Sequence, residues 1–314
     1  MSLGKLPPEL HCRITEFLPL RDRQQLQKCS KALNAAHHIA PIFFTNCRFM
    51  RFSSHEDDPK FVSIYFDDLE LQFYDRDGGT DYERKRVTLY QQVTEKTVRF
   101  EGENYCDVAK RCFRDMFLKK NVSCGLFTTN FVSEETLFEY YDRISIQELL
   151  FNNFEPTDND DRNQRIDVWL KHANPKYLKK LVVYSHDGGN CVIGSHKILQ
   201  KVERFTVLPS SDIDDELLLN LTSATEVYID ESRITVDGVN KFIKNWVAKK
   251  VKKGAEFEYA PAEMSSYTLE DLVKDLRNVS FRSNEAIIPI AEDRSLHIWI
   301  RESCIRVECL RMKS

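Results

Sequence analysis

The chain has 314 residues, of which 42% are hydrophobic and 30% charged, and its formal net charge is −4. The composition is that of a folded chain and excludes a disordered one, while the length calls for a small module plus a larger body. The weak negative charge argues against nucleic acid or an anionic membrane as partner, and no apolar run approaches the roughly 20 residues needed to cross a bilayer.

The opening MSLGKLPPELHCRITEFLPL is broken by prolines and charges and lacks the apolar stretch of a signal peptide. Pro7 and Pro8 pre-set the entry to a helix, along which Leu10, Ile14, Phe17 and Leu18 recur as one stripe until Pro19 ends it. Asp22 caps a second helix with Leu26 and Cys29 on an inner face, and a third runs from Lys31 to His38 with Leu33 and His37 on one side. Three helices this short bury too little apolar surface to stand alone. They lean either on the rest of the chain, as a plain helical cap, or on a partner.

Leu6, Pro7, Glu9, Leu10, Ile14, Leu18, Asp22, Leu26, Ser30 and Lys31 fall at matching spacing on one family pattern, and residues 1–45 resemble an F-box. Arg23 stands where that family carries an apolar residue. The resemblance implies that Leu6, Pro7, Leu10, Ile14, Leu18 and Leu26 hold a Skp1-type partner, which bridges to a cullin scaffold.

Residues 46–93 read as a β-hairpin linker. Residues 62–74 alternate through Leu69, Leu71 and Phe73, break at Asp75–Tyr82 around Gly78-Gly79, and resume as Val87-x-Leu89. Residues 94–314 read as a repeat of apolar-x-x-apolar-x-apolar hexapeptides, beginning at Ile146, Leu178, Val202, Ala224, Gly254 and Leu276, with degenerate copies at Val98-x-Phe100 and Val122-x-Cys124. Helical periodicity lies between them: Val108 to Phe117, Leu137 to Ile144 after Ser133, Ile166 to Ala173, and Val239 to Val247. Residues 287–310 give three short strands, with Leu296, Ile298 and Ile300 facing one way and Trp299 the other.

The hexapeptide and its spacing resemble leucine-rich repeats without their usual asparagine or cysteine, which implies an irregular solenoid; a different α/β arrangement is the alternative. Leu221–Lys250, above all the Asn-Lys-Phe-Ile-Lys-Asn-Trp run at Asn240–Trp246, resembles the F-box-associated domain of a large nematode family. The resemblance implies that this region binds proteins marked for ubiquitination. The expected fold class is therefore α/β: a small all-α F-box followed by an irregular leucine-rich-repeat-like helix/strand solenoid with β-hairpin flanks.

Catalytic constellations are missing from the pattern. The nine cysteines form no CxxC pair and read as small buried apolar residues of a reducing compartment, cytosol or nucleus. His37-His38 beside Cys29 and Cys47 is the nearest approach to a metal cluster and reads as polar helix surface. Asp77-Gly78-Gly79 and Asp187-Gly188-Gly189-Asn190 read as turns, Asp158–Asp161 as a solvated loop, and Lys249–Lys253 as a helix end. No cofactor and no catalytic residue are expected.

These readings predict a non-catalytic substrate adaptor of a Skp1–cullin–F-box ubiquitin ligase. The alternatives are a Skp1-binding scaffold with no role in degradation, and an enzyme with an unrecognised site. Were the hexapeptides adjacent strands, their last two apolar positions would face the helices. The residues between and before them would face outward: Arg99, Leu150, Lys180, Arg204, Tyr228, Glu256 and Glu258, the candidate target-binding set. The meander around Trp299 and the loop Asp75–Tyr82 are the rival locations.

Overall fold

The computed structural model describes residues 6–16, 18, 20–52, 60–76, 78–87, 92–119, 121–130, 137, 143–153, 168–185, 193–194, 196–208, 213–230 and 232–312. The chain divides into two compact units, Met1–Phe127 with Leu137–Ile146, and Thr128–Thr136 with Gln147–Ser314.

The first unit opens with three helices, α1 (Pro8–Glu16), α2 (Leu20–Leu26) and α3 (Lys31–Ile39). Ser30 caps α3 by accepting the Leu33 amide. Strands β1 (Ile42–Phe52), β2 (Phe61–Phe66), β3 (Leu69–Arg76), β4 (Gly79–Val87) and β5 (Gln92–Glu101) then form an antiparallel meander. Helix α4 (Tyr105–Phe117) follows, and β6 (Val122–Thr129) lies beside β1. The core here is aromatic. Phe113 of α4 stacks on Phe49 at 4.4 Å, and Phe117 packs against Phe66 and Phe127 at 6.2 and 5.2 Å.

In the second unit β7 (Ser145–Asn153), β8 (Lys180–Ser185), β9 (Arg204–Leu208), β10 (Glu226–Asp230) and β11 (Glu256–Ala260) run parallel. Strand β15 (Ile305–Arg311) pairs antiparallel with β11, and β14 (Arg294–Ile300), β13 (Glu285–Ala291) and β12 (Ser280–Arg282) continue the sheet. Leu149, Leu181, Phe205, Val227, Phe257 and Val307 share one register position and are buried on one face. Helix Val236–Lys249 covers that side, its Phe242 ring 5.0 Å from Phe257. Among the described residues no helix is long and apolar enough to cross a membrane.

The start of helix Val236–Lys249 is fastened by a carboxylate. Thr235 caps it by accepting the Gly238 amide, and Asp215 in turn accepts both the Thr235 amide (2.8 Å) and its hydroxyl (2.6 Å). A Cβ on Gly238 would lie 2.0 Å from the Asp215 Oδ1. Glycine to alanine inside a helix ordinarily stabilises, by about 0.5–1 kcal/mol. Here the sign reverses: Gly238→Ala displaces Asp215 and costs about 1–2 kcal/mol net, to be read as a lower urea midpoint at unchanged slope.

This architecture overturns the expected fold class. Among the described residues, fifteen strands of mixed sheet, with short helices in the minority, replace an all-α module followed by a helix/strand solenoid. Several repeat copies are of another kind. Val98-x-Phe100 lies in β5, antiparallel to β4, and Phe281 lies in β12, antiparallel to β13 and 50% exposed. Adjacency in sequence carried the solenoid reading, but the neighbour a strand finds decides its direction: β7 to β11 find parallel neighbours, whereas β5 and β12 find antiparallel ones. The hairpin reading also moves: the chain turns at Asp67–Asp68, where Asp67 has φ +51°, and resumes at Gly79 rather than Val87.

Candidate protein-binding surfaces

In α1 the buried positions are polar, and an apolar residue, Leu10, is exposed beside the charged Glu9 and Arg13. His11 and Thr15 are buried, and the Thr15 hydroxyl donates to the His11 carbonyl at 2.7 Å. Leu10 is 48% exposed, Pro7 is exposed, and Leu6, Ile14, Leu18 and Leu26 are all partly exposed. None of the six predicted partner-binding residues is fully buried. Cys29, expected on an inner face, is exposed, whereas Leu33 and His37 share the buried face of α3. Burial holds the His37 imidazole below the ordinary histidine value, with His38, Lys119 and Arg23 adding to the effect.

The helices are tied to β1 by one side chain. Arg23, 4% exposed, donates from Nε to the Leu18 carbonyl and from its two terminal nitrogens to the Pro41 and Glu16 carbonyls, each at 2.8 Å. This explains a charged residue at a position that the F-box resemblance fills with an apolar one. The guanidinium replaces apolar packing by satisfying three carbonyls at once.

On the second unit the sheet face opposite Leu181 and Phe205 carries two rows of side chains. Glu148, Lys180, Arg204, Glu226, Glu256 and Glu308 occupy one register position from β7 to β15. Leu150, Val182, Thr206, Tyr228, Glu258, Arg306 and Trp299 occupy the next, from β7 to β14. Six of the seven predicted target-binding residues, Leu150, Lys180, Arg204, Tyr228, Glu256 and Glu258, therefore share this surface. Arg99 does not. It lies on β5 of the first unit, paired with Glu101 at 2.8 Å and Asp81 at 3.2 Å.

The rows are laced by charge. Lys180 meets Glu148 at 3.2 Å and Arg204 meets Glu226 at 3.1 Å. Arg306 meets Glu256 at 2.7 Å, Glu258 at 3.8 Å, and Glu308. Burial works against the Arg306 charge, but these three carboxylates outweigh it and hold the guanidinium above its ordinary value. The Tyr228 phenol is pushed up to about 12 by burial, a hydrogen bond to Glu256 and the Glu256 and Glu258 charges. It therefore stays a neutral hydrogen-bond donor across physiological pH.

Sequence reasoning missed Arg306, Glu308 and His297 and set Trp299 apart as a rival location. The register makes Trp299 a neighbour of Arg306 on the same face. The Asn240–Trp246 run proves architectural. Phe242, Ile243 and Trp246 are buried, and the Asn240 amide donates to the Leu272 and Lys274 carbonyls at 2.9 and 3.1 Å. Asp158–Asp161 and Asp187–Asn190 lie outside the described residues.

Near Trp299, Ser295 Oγ lies 2.9 Å from His297 Nε2, and Nδ1 of the same ring meets Glu285. The order serine, imidazole, carboxylate is that of a hydrolytic triad. Ser295 is 1% exposed, however, so no acyl group reaches its oxygen, and the three groups pin β13 to β14 instead.

No protein-family model matches the chain, and comparisons with curated proteins and with solved structures return no match either.

Proposed function

We propose that the chain is a non-catalytic adaptor: it holds a Skp1-type partner through the stripe Leu6, Pro7, Leu10, Ile14, Leu18 and Leu26, and presents a protein target to a cullin ubiquitin ligase. The observation that carries this reading is the inversion of α1, which buries His11 and Thr15 and leaves Leu10 48% exposed. A helix placed that way gains by docking its apolar face against another protein. The resemblance of residues 6–31 to the F-box names the partner. The adaptor supplies binding and proximity, and a recruited E2 enzyme supplies the covalent step.

The test is reconstitution of the full chain with a purified Skp1 homologue and a cullin amino-terminal domain. Co-elution of all three, dependent on Skp1, is the expected result. No complex with Skp1 sinks the reading; a Skp1 complex that never takes up cullin makes the chain a scaffold without a degradation role. Ubiquitin transfer with E1 and E2 alone, lacking cullin and RING subunits, stays at background.

Target binding is assigned to the sheet face of the second unit. The triple replacement Lys180→Ala, Arg204→Ala and Tyr228→Ala and the single Trp299→Ala each release the same captured target, because their positions lie on one face. Both leave Skp1 binding unchanged and move melting by no more than about 3 °C. Release by one set and full retention by the other would divide the surface and refute its unity.

A further inference from the structure

The first unit holds a cleft of about 710 Å³ whose lining includes Glu16, Leu18, Arg23, Phe43, Asp67 and Asp68. Its apolar wall is open, with Phe43 55% exposed at the start of β1. Its polar wall carries three carboxylates, Glu16, Asp67 and Asp68, beside the guanidinium of Arg23; the exposed Arg13 also meets Glu16, at 3.6 Å. Arg23 is 4% exposed and gives three of its five N–H donors to the Leu18, Pro41 and Glu16 carbonyls. Burial raises the Asp67 carboxyl above its ordinary value, in spite of backbone hydrogen bonds from Asn46 and Thr45. The carboxylates outnumber their counter-charge.

Leu18 belongs to this cleft and to the apolar stripe at once. A protein seated on the stripe therefore also covers the cleft mouth. Covering carboxylates without supplying a cation strands desolvated charge, which opposes binding; supplying one turns the same groups into specificity. A lysine or arginine suits both walls, since its aliphatic stem packs on Leu18 and Phe43 while its head reaches the carboxylates.

We propose that this cleft receives a lysine or arginine side chain of the Skp1-type partner, extending the partner surface from α1 across Leu18 to the β2–β3 turn. The inference rests on reading the stripe as that partner's seat. It adds Glu16, Phe43 and Asp68, none of which the F-box pattern marks as contacts.

The experiment is calorimetric titration of the full chain with a purified Skp1 homologue at low and high salt. Asp68 is the cleanest probe: its side chain is exposed, and its backbone carbonyl accepts the Val87 amide. Asp68→Lys should weaken binding by about tenfold at low salt, with the difference shrinking as salt rises. Glu16→Gln should weaken it by about threefold. Glu302→Lys, an exposed position of the second unit, makes the same change in net charge and should leave affinity as in wild type. An Asp68→Lys affinity within about twofold of wild type, or an equal loss in Glu302→Lys, overturns the proposal. If wild type itself fails to bind the homologue, the stripe reading falls first and this inference falls with it.

Discussion

Replacing Leu10 and Ile14 together by aspartate should abolish binding of a Skp1 homologue while leaving the chain folded. The two residues sit four apart on the outer face of α1, where Leu10 is 48% exposed and Ile14 partly exposed. In the free chain Leu10→Asp removes little buried area and changes stability by about 0.5 kcal/mol or less, whereas Ile14 is partly buried and its replacement costs about 1–2 kcal/mol. The Leu10→Asp change even suits the helix start, where negative charge opposes the dipole. In a complex the same two carboxylates would enter a desolvated contact, at several kcal/mol apiece. The expected outcome is a loss of about 100-fold or more in affinity with the melting temperature lowered by only about 2–5 °C. Retained affinity removes the stripe from the interface. Lost affinity together with a collapse of the melting transition would mean that the stripe serves the chain's own core.

That asymmetry between the two faces of α1 was only half legible in the sequence. The period of Leu10, Ile14 and Leu18 marks an apolar stripe, but period alone cannot say whether a stripe faces the chain or a partner. The deciding residues are His11 and Thr15, and their burial depends on what α3, the helix packed on α1, places beneath them. Strand β1 itself escaped the alternation test. Ile42 and Phe44 point inward, then the phase slips at Asn46 and Cys47 and Phe49 point inward instead. A period-two search finds neither half convincing. The Asp67–Asp68 turn has no glycine or proline to announce it, because an aspartate adopts the left-handed conformation there.

The hexapeptides fared differently. Their inward positions, such as Leu149, Phe151, Leu181, Val183, Phe205 and Val207, are buried where alternation places them. Alternation is a local property of the chain. Direction and neighbour are not: Val98 and Phe100 follow the same pattern as Val227 and Ile229, yet one pair lies in an antiparallel strand and the other in a parallel one. The outward face from Leu150 to Glu258 was legible for the first reason. Arg306 was missed for the second, since nothing in the spacing from Glu258 to Arg306 states that β15 lies beside β11.

Arg23 carries the second large effect. Its guanidinium joins the Glu16 carbonyl at the end of α1, the Leu18 carbonyl beyond it, and the Pro41 carbonyl before β1. Arg23→Met keeps the bulk of the side chain and removes all three donors. Relieving a buried charge returns part of the loss, because burial already disfavours that charge and lowers its pKa. The three carbonyls lose their donor, and because their residues line the cleft, where water replaces part of each bond, each costs about 1 kcal/mol. The balance is a loss of about 1–2 kcal/mol, concentrated where the helices meet the strand. Arg23→Lys should recover only part of it, since a single ammonium group cannot span three carbonyls set around a planar fork. Amide exchange in α1 and α2 should quicken in Arg23→Met. Affinity for a Skp1 homologue should fall in proportion to the fraction of chains whose helices have come away, without any change to the stripe itself. Wild-type exchange rates and wild-type affinity in Arg23→Met would show that the helices hold to β1 by their apolar contacts, with the guanidinium a passenger.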